Sequence, residues 1–162
     1  MVRHLDLWCL EQQLLTRSIK MINDDLKLTG AVSIALNGEV VQENENLVVT
    51  AGKDWVADRM NNANTVMTHM EIGSGSTTAA VGQTTLVTAV DRNALTSTTV
   101  TDNAIAYVAT WAAGDGTGAI IEAGIFDAAS GGDMLARTVF TSGVVNKGAL
   151  DSMTITWTIT VS

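Results

Sequence analysis

The last eleven residues constrain the chain more than any other stretch. Ser152–Ser162 reads S-M-T-I-T-W-T-I-T-V-S. Side chains alternate across a strand with period two, so Met153, Ile155, Trp157, Ile159 and Val161 share one face and four threonines share the other. β-branched and aromatic residues suit a pleated, half-buried surface. Burying five apolar side chains at ~2 kcal/mol each gives on the order of 10 kcal/mol of gross stabilisation, most of it offset by chain ordering. A strand of this length extends roughly 35 Å at about 3.3 Å per residue, enough to run the length of a sandwich. A register slip of one residue would turn Trp157 outward, so the pairing is firmly specified.

The rest of the chain repeats that texture. Leu26–Leu36 places Leu26, Leu28, Val32, Ile34 and Leu36 on one parity, with Gly30 as the expected bulge or bend. Asn37-Gly38 follows, the strongest hairpin signal present, and favours a type I′ turn into Glu39–Gln42. Asn46–Thr50 continues as strand. Thr50 can cap a short helix to about Met60, carrying Trp55, Val56, Arg59 and Met60 and closing one end of the core. Asn61–Asn64 ends it as a loop. Val66–Ile72 is expected as a strand with Val66, Thr68, Met70 and Ile72 on one face. Gly73–Thr78 lacks the Gly-Lys-Ser/Thr of a phosphate loop and reads as a mobile surface loop.

Thr84–Val90 fits a strand or a helical turn. Asn93–Val100 and Ala104–Trp111 read as a hairpin around Asp102-Asn103, with Ile105, Tyr107, Ala109 and Trp111 sharing a face. Gly114–Gly118 is a turn, and its Asp115 lacks the companions of a calcium loop. Ala119–Phe126 is a strand carrying Glu122. A lone charge in an apolar strand is costly, and Arg137 in the returning strand Met134–Phe140 is the expected partner. Ser130-Gly131-Gly132 turns between them, and Asn146–Gly148 turns into the final strand, where Asp151 can bond turn amides. Gly124 leaves room for a large neighbour, Trp157 or Trp111. Eight or nine strands with regular turn signals and one short helix predict an all-β fold, an antiparallel jelly-roll-like β-sandwich. Its core candidates are Trp157, Ile155, Ile159, Trp111 and Phe126.

At 162 residues one domain is expected, spanning 21–162. Residues 1–20 differ in texture. Leu5, Trp8, Leu15 and Ile19 approach helical spacing, which reads either as an arm docking on a neighbouring subunit or as an extension upstream of a natural start at Met21. Asp6 and Glu11 interrupt what would be the apolar region of a signal peptide, and no run is long and apolar enough for a membrane helix. A single cysteine, Cys9, excludes an internal disulfide framework and a Cys-based zinc site. His4 and His69 have no partner at metal-ligand spacing, and His69 reads as a rim histidine. No catalytic residue, cofactor site or metal site is expected. The net charge of −8 repels phosphate backbones, so neither nucleic acid nor membrane is an expected partner.

Several stretches resemble a family of tailed-bacteriophage virion proteins built on small β-sandwich domains. They are Asn46–Lys53 (N-L-V-V-T-A-G-K), Met70–Gly75 (M-E-I-G-S-G), Gln83–Leu86 (Q-T-T-L) with Arg92, and Glu122–Phe126 (E-A-G-I-F). The series continues with Gly131-Gly132, Leu135–Arg137 (L-A-R), Asn146-Lys147 and Asp151–Ser162, so the similarity covers about Leu26 to Ser162. Their order is more specific than any single stretch. Members serve variously as head decoration (cement) proteins, head fibres, and tail-fibre or baseplate components. The resemblance implies a structural protein without enzymatic activity. It implies a trimer on the outer capsid surface, with the major capsid protein as partner. A tail-fibre or baseplate role in host attachment is the alternative. Glycan stacking on Trp111 or Tyr107 would serve that alternative, against core packing for both. A depolymerase is a third reading, but no acid pair can be placed in one cleft.

Overall fold

The computed structural model describes residues 26–61 and 65–162. The expectations for residues 1–20, with Cys9, His4 and the start at Met21, lie outside them, as does most of the loop expected at Asn61–Asn64.

The opening hairpin joins β1 (Leu28–Leu36) to β2 (Glu39–Glu45). Asn37 and Gly38 both take positive φ, 53° and 87°, as a type I′ turn requires. The short β3 (Leu47–Val48) leads into helix α1 (Thr50–Asn61). Then come β4 (His69–Gly73), β5 (Ala89–Ala94), β6 (Ser97–Thr101), β7 (Ala104–Trp111), β8 (Gly118–Ile120) and β9 (Glu122–Phe126). Strands β10 (Met134–Val139), β11 (Val145–Lys147) and β12 (Met153–Val161) complete the chain.

Two five-stranded antiparallel sheets form the sandwich. The first has the order β2-β1-β12-β7-β6 and the second β3-β10-β9-β4-β5, while β8 and β11 pair as a separate ribbon. Pairing is nested in jelly-roll-like fashion: β1 with β12, β3 with β10, β4 with β9, β6 with β7. The final strand occupies the centre of the first sheet. Trp157 stands opposite Val32 on one side and Tyr107 on the other. Met153, Ile155, Trp157 and Ile159 are buried, whereas Val161 at the strand end is 38% exposed. They meet Met70, Ile72, Ala123, Ile125 and Ala136 of the second sheet in one core.

The central strands of the second sheet are buried on both faces, while its edge strand β5 is exposed or half-buried. Every residue of β9 is buried, as is every residue of β10 except the half-buried Val139. Its outer side carries a smaller cluster, Val49, Leu86, Phe126 and Met134, with Ala51 of α1 against it. Gly52 lies so close to β10 that a Cβ there would collide with the Leu135 carbonyl. Trp55 and Val56 extend the same helix over the main core. Gly52 is the helix's only buried residue, so the contact is backbone against backbone at one end and two half-buried side chains further on.

Several expectations are corrected here. The strand expected over Val66–Ile72 begins at His69, and Met67, not the exposed Val66, enters the core. Asn93–Val100 is not continuous: Asn93 and Ala94 end β5 in one sheet, and β6 starts in the other. Ala119–Phe126 breaks at Ile121, where β8 leaves the sandwich for β11. Asn146 and Lys147 belong to β11, so the turn there begins at Gly148. Residues 84–88 of the ambiguous Thr84–Val90 stretch are neither strand nor helix. The first sheet's bulge sits at Ile34/Ala35, while Gly30 pairs in register with Ile159. Gly124 makes room for Leu86, Phe126 and Met134 on the outer side of its sheet, not for a tryptophan.

Trp157→Asp is expected to abolish folding. Truncating a buried tryptophan costs about 3–5 kcal/mol, and an unpaired carboxylate adds more, against a total stability of roughly 5–15 kcal/mol. Loss of the cooperative thermal transition in near-UV circular dichroism checks this; a Trp157→Asp protein with an intact transition contradicts the assignment of the core.

Candidate functional site: buried charges and the outer sheet face

The described residues contain three buried or half-buried cation centres, and each ties loops to the sandwich. The deepest is Glu122 with Arg137. They sit two positions apart diagonally on β9 and β10, both fully buried, with Arg137 Nη2 2.7 Å and Nε 2.9 Å from Glu122 Oε2. The carboxylate also accepts backbone N–H groups from Gly75 (3.0 Å), Val87 (3.2 Å) and Thr88 (2.8 Å). Arg137 in turn donates to Gln83 Oε1 and to the Thr77 carbonyl, each at 2.9 Å. A buried carboxylate needs such donors because no water compensates its charge. The Gly-rich stretch expected as a mobile surface loop is therefore pinned: Gly75 is buried, and its amide bonds the ion pair directly.

The second centre is Arg92. Its guanidinium forms a two-point contact with Glu71 on the neighbouring strand, at 3.1 and 3.2 Å. It donates to the Ala128 and Gly131 carbonyls and lies 3.7 Å from the centroid of the Phe126 ring. A planar, delocalised cation suits both the fork-shaped pairing and the ring face. One side chain thereby fixes the β9–β10 turn to the sheet edge.

The third is Lys147, only 2% exposed, whose ammonium donates to the Ala112 and Asp151 carbonyls at 2.9 and 2.7 Å. Asp151 organises the turn before β12. Its Oδ2 accepts the Gly148 amide at 2.8 Å and its Oδ1 accepts Asn37 Nδ2 at 2.8 Å. These hydrogen bonds, Asn37 first and Gly148 second, hold the Asp151 carboxyl below its ordinary value.

The aromatic candidates for ligand contact lie elsewhere. Trp111 is fully buried and Tyr107 4% exposed, both in the main core, so neither presents a ring to a glycan. Burial pushes the Tyr107 hydroxyl above its ordinary value, with the Arg59 charge opposing. Of the two histidines only His69 is described. It is half-buried, with Nδ1 2.7 Å from the Thr68 hydroxyl. Among the described residues no three His, Cys, Asp or Glu side chains are grouped to hold a metal ion, and no helix is long and apolar enough to cross a membrane.

The outer face of the first sheet is the broadest open feature. Alternation places Thr29, Ala31, Ser33 and Ala35 of β1 beside Thr154, Thr156, Thr158 and Thr160 of β12. Next come Thr110, Val108, Ala106 and Ala104 of β7, then Ser97, Thr99 and Thr101 of β6. Across four strands this face carries no charge, and its members are exposed or half-buried. Thr110 and Thr154 share a hydroxyl hydrogen bond at 3.0 Å. A trough of about 690 Å³ runs along its β2 side, between Ser33, Thr156 and Thr158 and the carboxylates of Glu43 and Glu45. It brings hydroxyls and carboxylates together, with Ser33 opposite Glu43 across β1 and β2.

No protein-family model, curated protein or solved structure matches the chain.

Two outcomes follow from the buried charges. Glu122→Gln leaves Arg137 without its counter-charge, and breaking a buried pair costs about 3–5 kcal/mol. Hydrogen exchange at Gly75, Val87 and Thr88 is expected to accelerate more than exchange elsewhere; unchanged protection there would show that the loop is held by other contacts. For Asp151, the lowered folded-state pKa means that its stabilisation is present above the unfolded value, near 3.8, and is lost as pH falls through the folded value. The melting-temperature gap between the wild type and Asp151→Asn is therefore expected to exist at pH 6 and to narrow progressively as pH falls below about 4. A pH-independent gap contradicts this.

Proposed function

We propose that this chain is a bacteriophage structural protein, a capsid decoration (cement) protein that binds the outer capsid surface as a trimer and stabilises the head. The observation that carries the reading is the open face of the first sheet. It is wide, built of small side chains and, across β1, β12, β7 and β6, free of charge, in a chain whose net charge is −8. Threonine and alanine methyls can be covered by another protein surface without stranding a charge, and small side chains allow close approach. The buried charges support the same reading. All three cation centres hold loops in place, so the polar groups serve rigidity and leave adhesion to the outer face and the strand edges. The family resemblance of residues 26–162 supplies the virion context and the major capsid protein as partner.

Attachment to a host through a tail fibre, head fibre or baseplate draws on the same resemblance. It is the weaker reading here because Trp111 and Tyr107, the rings that would stack on a glycan, lie in the core.

Locating the chain in purified particles by electron cryomicroscopy decides between them. Copies by the hundred on the head are expected; a few copies at the tail overturn the proposal. Thr156→Asp tests the adhesive face. A folded protein that loses its self-association or its capsid binding by at least tenfold is expected, whereas unchanged assembly and binding place that face in solvent.

A further inference from the structure

Four strands form the lateral edges of the two sheets, and three of them are blunted. β2 carries Glu39, Glu43 and Glu45 and bulges against β1. β3 is two residues long. β5 carries Asp91 and Arg92 and bulges against β4. Charge, brevity and bulges are the usual means by which a sheet avoids pairing with another chain. β6 has none of them. Its sequence, S-T-T-V-T, is uncharged and free of proline, every residue is exposed, and its register with β7 is unbroken. Val100 is 69% exposed. No described strand pairs with its outer edge.

The turn fixes which backbone groups face outward. Thr101 and Ala104 close a two-residue loop at Asp102-Asn103, and in such a hairpin the closing pair exchanges both backbone hydrogen bonds. Bonded and non-bonded pairs alternate from there. Ser97, Thr99 and Thr101 therefore direct N–H and C=O toward β7, while Thr98 and Val100 direct theirs toward the free edge.

We propose that β6 is a self-pairing edge: two copies of the chain join β6 to β6 antiparallel about a two-fold axis at Thr99, fusing two five-stranded sheets into one of ten. The free groups set the register. Thr98 exchanges both backbone bonds with Val100 of the second copy, and symmetry repeats the exchange, giving four hydrogen bonds. Ser97 stands opposite Thr101 and Thr99 opposite itself. Val100 meets the Thr98 side chain of the second copy on the core-facing side, covering its exposed methyls. Asp102 falls opposite Thr96, so no like charges meet. The same operation on β2 would set Glu39 against Glu45, which is repulsive. Between two chains of net charge −8, an uncharged edge with free donors and acceptors is where copies approach at the least electrostatic penalty. The contact is isologous and closes on itself, so it ends at a pair rather than a fibre. It uses an edge, whereas the proposed three-fold contact uses the outer face, and the two stand or fall separately.

The full-length protein tests this. Thr98→Pro removes an outward donor and no bond to β7, and proline is tolerated at a sheet edge. The assembly mass by light scattering is expected to fall by half, with the far-UV circular dichroism unchanged. Thr99→Cys in a Cys9→Ser background is expected to form an intermolecular disulfide under mild oxidation. Residues facing each other in a non-bonded pair have Cα atoms about 4.5 Å apart, within disulfide reach. Ser97→Cys in the same background is expected not to cross-link, since four residues of stagger separate the two copies by roughly 13 Å. If Thr98→Pro fails to fold, the cysteine pair decides alone. Three results overturn the proposal: no disulfide at Thr99, equal cross-linking at both positions, or a folded Thr98→Pro protein of undiminished mass. A partner of another kind on this edge, including residues 1–25 of the same chain, would give the first.

Discussion

A carboxylate taken out of water must find its donors in the protein, and Glu122 finds five. Two come from Arg137 and three from the backbone of a segment 34 to 47 residues away in sequence. Neither charge could be buried alone, because an unpaired ion in the interior loses several kcal/mol of hydration. The pair thus requires the 74–88 segment to lie against β9 and β10, and that segment brings Leu86 over Phe126 and Met134. The Thr50 amide bonds the Val81 carbonyl at 2.7 Å, which joins the same segment to the start of α1. One ion pair therefore organises the layer that covers the outside of the second sheet. The first sheet has no such layer among the described residues. The asymmetry of the molecule, one sheet covered on both faces at its central strands and the other on one, traces to this pair.

That asymmetry also explains which parts were legible in the sequence. Period-two alternation appears where one face meets the core and the other meets water. It marked β12, with Trp157, Ile155 and Ile159 inward, and β7, with Tyr107, Ala109 and Trp111 inward. It is lost where both faces are covered. In β9 all five residues are buried, so E-A-G-I-F shows no alternation and Gly124 could not be given a side. Met70 and Ile72 do share the core face as their spacing implies, but the alternation does not extend back to Val66, because the strand begins only at His69. Glu122 with Arg137 was legible because a charge in an apolar strand demands a partner, and few cations lie nearby in sequence. The anchoring of the Gly-rich loop was not, because its contacts to Glu122 are made by backbone amides, which every residue carries. Lys147 left no signal either. A lysine beside an asparagine and a glycine looks like a solvated turn, and only the carbonyls of Ala112 and Asp151 make it a buried tie.

Strand ends and hairpins were read best where a residue type has a single mechanical use. Asn37-Gly38 had to turn because both positions take positive φ. The break between β5 and β6 had no such marker. Leu95 and Thr96 carry the chain from one sheet to the other with the Leu95 amide bonded to the Thr68 carbonyl and the Thr96 amide to the Val108 carbonyl. Neither residue is a turn former, and Thr96 is β-branched, so the crossing is written in tertiary hydrogen bonds and not in local preference.

The distribution of charge connects the fold to assembly. Carboxylates outnumber cations by fifteen to six in residues 21–162, and half of those cations are buried or half-buried in the ties described above. Arg92, Arg137 and Lys147 are held by ion pairs and carbonyls, so among the described residues the exposed cations are Lys27, Lys53 and Arg59, and the surface is dominated by carboxylates. A surface so biased keeps copies apart through solution, which favours solubility, and leaves contact only where charge is missing. In the described residues the threonine–alanine face and the β6 edge beside it, which share strands β6 and β7, are two such places; the covering segment 74–88 is another. Their neutrality is not a by-product of low polarity. These positions carry hydroxyls in abundance, so they remain wettable when alone and can exchange water for protein hydrogen bonds when covered. A face built instead from leucine or isoleucine would adhere to itself indiscriminately. Threonine supplies the β-branched backbone preference that the sheet needs, a methyl that packs and a hydroxyl that tolerates exposure. The same residue choice that stabilises the final strand thus also leaves its back able to meet either water or another protein.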